Sequence, residues 1–238
     1  PAPTPPPSNP TARLTFATYY TKDDLTPAQI VADVKKLTAT GADVIGLQGM
    51  LDSRRGAAIA SSITCATCAY AGYLPTGNDS ADVPILWKKS RITNSGAGIS
   101  TRAAAGTTTI RTTFLNAIRL NAKDINRTFY VLNNHGIATG ETNGKPTYDA
   151  TRTNIFQAQM NTLKDRVNAY SLSGDPIIVT GMYYVNYRTD SQVKYSLYPF
   201  VNTGAVATRA NWQRLGTPAE GTFIGTGRLV DYVHSRDH

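Results

Sequence analysis

The chain has 238 residues, enough for one large domain with a substantial core, and its 41% hydrophobic and 17% charged content excludes extended disorder outside its ends. Lys and Arg number 24 against 16 acidic residues, a net charge of +8 that favours contact with polyanions or glycans. No apolar run approaches the roughly 18 residues of a membrane span.

The basic residues are scattered, with pairs only at Lys35-Lys36, Arg54-Arg55 and Lys88-Lys89. They predict a solvated basic surface rather than the stripe or module of a dedicated nucleic-acid binder. The start at Pro1, the Thr-, Ser-, Asn- and Tyr-rich composition and the proline-rich opening predict a secreted protein whose signal peptide has been removed.

Residues 1–12 begin "PAPTPPPSNP" and favour polyproline II, a semi-rigid segment distinct from the domain predicted over 13–238. "RLTFATYYT" (13–21) alternates as a strand does. "TPAQIVADVKKL" follows as a helix, with Thr26 as N-cap, Pro27 at the first position, Gln29 closing a capping box, and Gly41 ending it. "ADVIGLQ" (42–48) is a buried-strand run, and a short helix is expected near 57–63.

"CATC" places Cys65 and Cys68 in one turn. A redox pair and half of a zinc site are the alternatives to a local disulfide. Without a second cysteine pair or a nearby His, and in an exported chain, the disulfide Cys65–Cys68 is preferred, pinning a turn rather than holding the domain together.

Strands are then expected over 83–90, 107–122 and 127–138, followed by a long helix "ATRTNIFQAQMNTLKDRVNAY" whose Phe156, Met160, Leu163 and Val167 share a face. "DPIIVTG" and "TGRLVDYVHS" read as two last strands. Strands interleaved with a few helices predict an α/β fold, a layered β-sandwich flanked by helices.

Five of these segments together resemble the endonuclease/exonuclease/phosphatase superfamily, whose fold is deoxyribonuclease-I-like. "LTFATYYT" is similar to its first strand, "ADVIGLQGM" to its "ADVIGLQE", "VLNNHGIA" to the strand bearing its phosphate-contacting His, "PIIVTGMYYVNY" to "PIIVTGDFN", and "RLVDYVHS" to "RIDYVF". The resemblance implies metal-assisted phosphodiester hydrolysis, with hard oxygen ligands holding Mg²⁺.

The ligand positions it implies are all altered. Tyr20 stands for an Asn, Gly49 for the Glu, Met182 for the Asp and Tyr184 for the second Asn. Neither a thioether nor an absent side chain replaces a carboxylate on Mg²⁺, so no metal and no cofactor are expected. His135 and Asp231 remain as vestiges, His135 as a lone strand-end histidine and Asp231 without the His that its equivalent orients. The closing "SRDH" is too near Asp231 to supply the family's separate Asp-His strand, which leaves the last strand absent and its neighbour unpaired.

The chain is therefore read as a degenerate relative: a non-catalytic, exported structural or assembly protein. Tyr20, Met182 and Tyr184 either fill the old cleft or offer a contact face. Self-association is expected, head to tail through residues 1–12, giving a filament unless the rotation closes. Two alternatives stand beside it: a phosphate- or sugar-binding module using His135, Arg152 and nearby tyrosines, and an active metal-dependent phosphodiesterase or nuclease with relocated ligands.

Overall fold

The computed structural model describes residues 13–77, 79–138, 149–185 and 231–236, with the backbone alone of 141–142, 145–146 and 209–211. In chain order the elements are β1 (Phe16–Tyr20), α1 (Pro27–Ala39), β2 (Val44–Gln48), α2 (Ser53–Ser62), β3 (Tyr70–Tyr73), a 3₁₀ turn (Asp79–Asp82) and β4 (Ile85–Lys88). Then come β5 (Ile92–Asn94), β6 (Ile99–Ala104), β7 (Thr113–Ala122), β8 (Arg127–His135), β9 (Glu141–Thr142), β10 (Lys145–Pro146), α3 (Ala150–Ser171), β11 (Ile177–Met182), β12 (Arg209–Asn211) and β13 (Asp231–Arg236).

The capping box forms as its sequence requires. The Thr26 hydroxyl oxygen accepts from the Gln29 N–H while the Gln29 side chain accepts from the Thr26 N–H, and Gly41 leaves the helix at φ 84°. Helix α2 begins earlier than its apolar residues indicate, because the Asp52 carboxylate accepts the Arg54 N–H and starts the helix at Ser53.

Two sheets face each other. The smaller has the order β1-β2-β4-β3, and the larger runs β12-β13-β11-β8-β7-β5 with β6 also on β7. Alternation along the strands divides the core into three layers. Ile45 and Leu47 of β2 point outward onto Ile30 and Val34 of α1 and Ile59 of α2. Leu132 and Val179 of the larger sheet point outward onto Phe156, Met160 and Leu163 of α3. Between the sheets lie Val44, Trp87, Ile118, Leu120, Phe129 and Val131.

The inter-sheet layer is apolar at one end only. At the other, Gln48 Nε2 donates to Asn133 Oδ1 at 2.6 Å, Thr180 Oγ1 donates to the same oxygen at 3.0 Å, and Asn133 Nδ2 donates to the carbonyls of Leu47 (2.6 Å) and Pro84 (2.9 Å). The sheets come so close here that a Cβ on Gly46 would lie 2.1 Å from Thr180 Oγ1. Only glycine fits.

Three sequence expectations are adjusted. The run 107–122 becomes a strand only from Thr113, and the short β3, β5 and β6 carry no legible pattern. Arg55 is 6% exposed, not part of the basic surface: its guanidinium bonds the carbonyls of Lys22, Asp23, Leu25 and Gly49 at 2.7 to 3.0 Å, tying together the chain ends that leave β1 and β2. The expectation of one unpaired edge becomes several: among the described residues β1 pairs with β2 alone, in parallel, and β3, β5, β6 and β12 are sheet edges as well. Residues 1–12 and the closing Asp237-His238 lie outside the described residues, and no described helix is long and apolar enough to cross a membrane.

Cys65 and Cys68 are joined by a disulfide (S–S 2.15 Å), and Lys89 Nζ bonds the Cys65 and Ala66 carbonyls at 3.1 and 2.8 Å. The disulfide thus closes one turn beside β4, as its spacing predicts.

On the α3 side of the larger sheet, His234 is 3% exposed with its ring 5.3 Å from that of Tyr183 and 5.8 Å from that of Tyr232. Burial holds the His234 ring down to about 3, below its ordinary 6.5. A depressed folded-state value leaves stability intact above pH 6.5 and removes it as pH falls toward 3. Denaturant unfolding should therefore lose roughly 3 kcal/mol between pH 6.5 and about pH 4, and His234→Gln should flatten that limb.

Candidate functional site

The sequence-predicted positions meet at one rim of the sandwich. His135 of β8, Met182 of β11 and Asp231 of β13 are direct cross-strand neighbours in a single row. Parallel β1 and β2 run out at the same end, bringing Tyr20 and Gly49 over this row. Tyr184 sits two residues beyond Met182 at φ 56°, a left-handed conformation that is costly for a bulky residue and turns the ring back over the site.

Three rings pack together. The Tyr20 and His135 centroids are 5.2 Å apart, those of His135 and Tyr184 5.7 Å with near-parallel planes, and those of Tyr20 and Tyr184 6.1 Å. Burial pushes both phenols above their ordinary values, so both remain neutral donors at physiological pH. Met182 is fully buried in the row below.

His135 is a hydrogen-bonded residue at the end of β8, with partners from three other segments. Its Nδ1 is 2.7 Å from Asp82 Oδ2, and the Arg111 guanidinium bonds the same oxygen while its second nitrogen lies 2.8 Å from Nδ1. Nδ1 thus lies between a carboxylate oxygen and a guanidinium N–H; in the tautomer that donates to the carboxylate, the shorter of the two contacts, the ring proton is on Nδ1. Nε2 then faces the Tyr184 hydroxyl at 3.4 Å. The His135 side chain is only 7% exposed.

Asp82 is the centre of charge. Burial alone would raise its carboxyl, but the His135 ring and the Arg111 guanidinium outweigh burial and hold it down to about 2. Its other oxygen, Oδ1, accepts the Gly49 N–H at 3.0 Å. Gly49 is more than a truncated glutamate: its φ is 84°, and a Cβ there would lie 2.3 Å from the Thr21 carbonyl oxygen. The backbone amide at this position occupies the carboxylate of Asp82 instead of a side chain occupying a metal.

Sequence reading missed Asp82 and Arg111. Asp82 directly precedes the buried run that becomes β4, and Arg111 interrupts a Thr-rich stretch; neither lies in a segment that carries the family resemblance. Arg152, expected at a ligand, instead bonds the Ala138 carbonyl at 3.3 Å and lies 3.6 Å from its own cap residue Asp149.

These residues do not fit Mg²⁺. Among the described residues no three carboxylate, His or Cys side chains converge. Asp82 offers oxygen ligands already engaged by a cation, a ring N–H and a backbone N–H. The aligned ligand positions present two phenol rings, a thioether and bare backbone.

Asp82→Asn should destabilise the fold by about 3 kcal/mol, because it leaves the Arg111 charge without its buried counter-ion. The carboxyl's depressed value makes its contribution complete above 3.8 and lost as pH falls toward about 2. Unfolding followed against pH should show that lowest acid limb in the parent chain and not in Asp82→Asn.

No protein-family model matches the sequence, and no curated relative does. Solved structures do. A mannosyl-6-phosphatase of Bacteroides thetaiotaomicron superposes with a TM-score of 0.68 at 13% identity, covering 94% of this chain and 85% of that one. An endonuclease/exonuclease/phosphatase family protein of the same organism gives 0.67 at 13%, with 93% and 82% covered. TDP2 of D. rerio, complexed with a single-strand DNA product, gives 0.60 at 13%, with 94% and 83% covered. With two facing mixed sheets, helices on both outer faces and the site at one rim, the chain has the deoxyribonuclease-I-like fold of the endonuclease/exonuclease/phosphatase proteins.

Proposed function

We propose that this chain is a non-catalytic protein on a phosphodiesterase-like fold, an exported structural or assembly protein that acts by contact. The observation that carries this reading is the closure of the His135 site. The imidazole Nε2 that would face a phosphoester faces the Tyr184 hydroxyl, and the Asp82 carboxylate beside it is neutralised internally. General acid–base work needs a nitrogen within reach of the substrate, and metal-assisted hydrolysis needs uncommitted carboxylates.

The Cys65–Cys68 disulfide supports the exported setting, since such bonds persist in oxidising compartments. The edge of β1, open among the described residues, supports self-association. A filament built through residues 1–12 is part of the same reading, although that segment lies outside the described residues. One observation favours a second reading, a phosphate or sugar-phosphate held without hydrolysis: the Arg111 side chain beside His135 keeps 26% of its surface exposed.

Hydrolysis of bis-p-nitrophenyl phosphate with Mg²⁺ should equal the uncatalysed background, for the parent chain and for His135→Ala alike. Mg²⁺-dependent turnover that disappears in His135→Ala would overturn the reading. Calorimetric titration with inorganic phosphate should give no binding heat, whereas saturable heat lost in Arg111→Gln would favour the second reading.

A further inference from the structure

Among the described residues strand β1 is an edge without protection. Proteins blunt exposed edges with charges, prolines, bulges, glycines or brevity. The other described edges carry such devices: Gly72 in β3, three-residue lengths for β5 and β12, and Arg102 with a register shift in β6. By contrast β1 is "FATYY", uncharged, without proline, in unbroken register with β2 from Phe16↔Val44 to Tyr20↔Gln48. All five residues are half-buried.

The ladder direction is fixed by its flanks. The Thr15 carbonyl accepts from Asp43 and Val44, and the Thr21 N–H donates to the Gln48 carbonyl, so the odd-numbered residues of this stretch face β2. Phe16, Thr18 and Tyr20 therefore turn their N–H and C=O groups to the open edge.

These outward residues are symmetric about Thr18, and so are the charges around them. Arg13 stands three residues before β1 and Asp23 three residues beyond it; both are exposed, and neither forms an ion pair among the described residues. An antiparallel pairing centred on Thr18 sets Phe16 against Tyr20, Thr18 against Thr18, and the small Ala17 against the large Tyr19. It also brings Arg13 of each copy to the Asp23 end of the other, whereas a parallel pairing would oppose like with like.

We propose that β1 pairs with β1 of a second copy across a two-fold axis at Thr18, joining two four-stranded sheets into one continuous sheet. The proposal rests on the self-association read above and gives it a surface. It is isologous and closes at two copies, so a filament would require a further contact elsewhere. Each outward residue pair would exchange both its N–H···O=C bonds, as hydrogen-bonded antiparallel pairs do.

Sedimentation of the full chain over a concentration series tests it. The parent chain should show a monomer–dimer equilibrium. Thr18→Pro removes the central outward donor and leaves every β1–β2 backbone bond in place, though it loses the Thr18 hydroxyl bond to Gln48. It should raise the dimer Kd at least about tenfold. The Arg13 side chain makes no hydrogen bond or ion pair among the described residues, so Arg13→Glu should raise Kd about tenfold, and Arg13→Glu with Asp23→Lys should restore it. A dimer or larger species indifferent to all three variants overturns this pairing while leaving self-association standing. A monomer at every concentration overturns both.

Discussion

The buried amide of Asn133 is the constraint on which the sandwich depends. Its oxygen accepts from Gln48, Thr180 and the Asn134 N–H, and its nitrogen donates to two carbonyls of the facing sheet. A side-chain amide this deep costs about 1–3 kcal/mol for each partner withheld, so the sheets must approach until every bond is made. That approach explains why Gly46 has no side chain and why Gln48, on the same face of an otherwise aliphatic β2, sits opposite Asn133. His135 lies two residues along β8 on the same face, and the pleat sets it at the rim with no further instruction.

Charge at the rim is settled within the protein. Asp82 meets one guanidinium, one imidazole N–H and one backbone N–H, while Arg55 secures the neighbouring loops through carbonyl oxygens alone. A reactive site generally keeps some of its hydrogen-bonding capacity open toward the substrate. Here the groups that would have to reorganise are already bonded to one another, the Tyr184 hydroxyl faces the remaining nitrogen, and the Tyr20 ring packs against the imidazole.

The sequence revealed what local chemistry controls. The capping box of α1, the apolar face of α3 and the buried runs of β2 and β11 are each specified within about a dozen neighbouring residues, and they emerge as read. The six positions around the rim also converge, because each lies at a strand end whose motif is quoted in the chain. The short edge strands β3, β5 and β6 were not legible, since three to six residues facing water on one side carry no period. Asp82 and Arg111 reach His135 across 53 and 24 residues, and nothing in the local pattern of either marks the meeting. Arg55 looked like half of a surface pair because burial of a cation by carbonyl oxygens leaves no acidic partner to notice.

The geometry at Gly49 also dictates an order of events for anyone rebuilding a metal centre on this scaffold. A carboxylate placed there first would collide with the Thr21 backbone and strand the amide that Asp82 relies on. The loop after β1, clamped by Arg55 and Thr21, would have to be redrawn before the substitution could be tolerated. Each half-step alone is a loss, so a side-chain carboxylate reaches this position through a valley rather than along a slope.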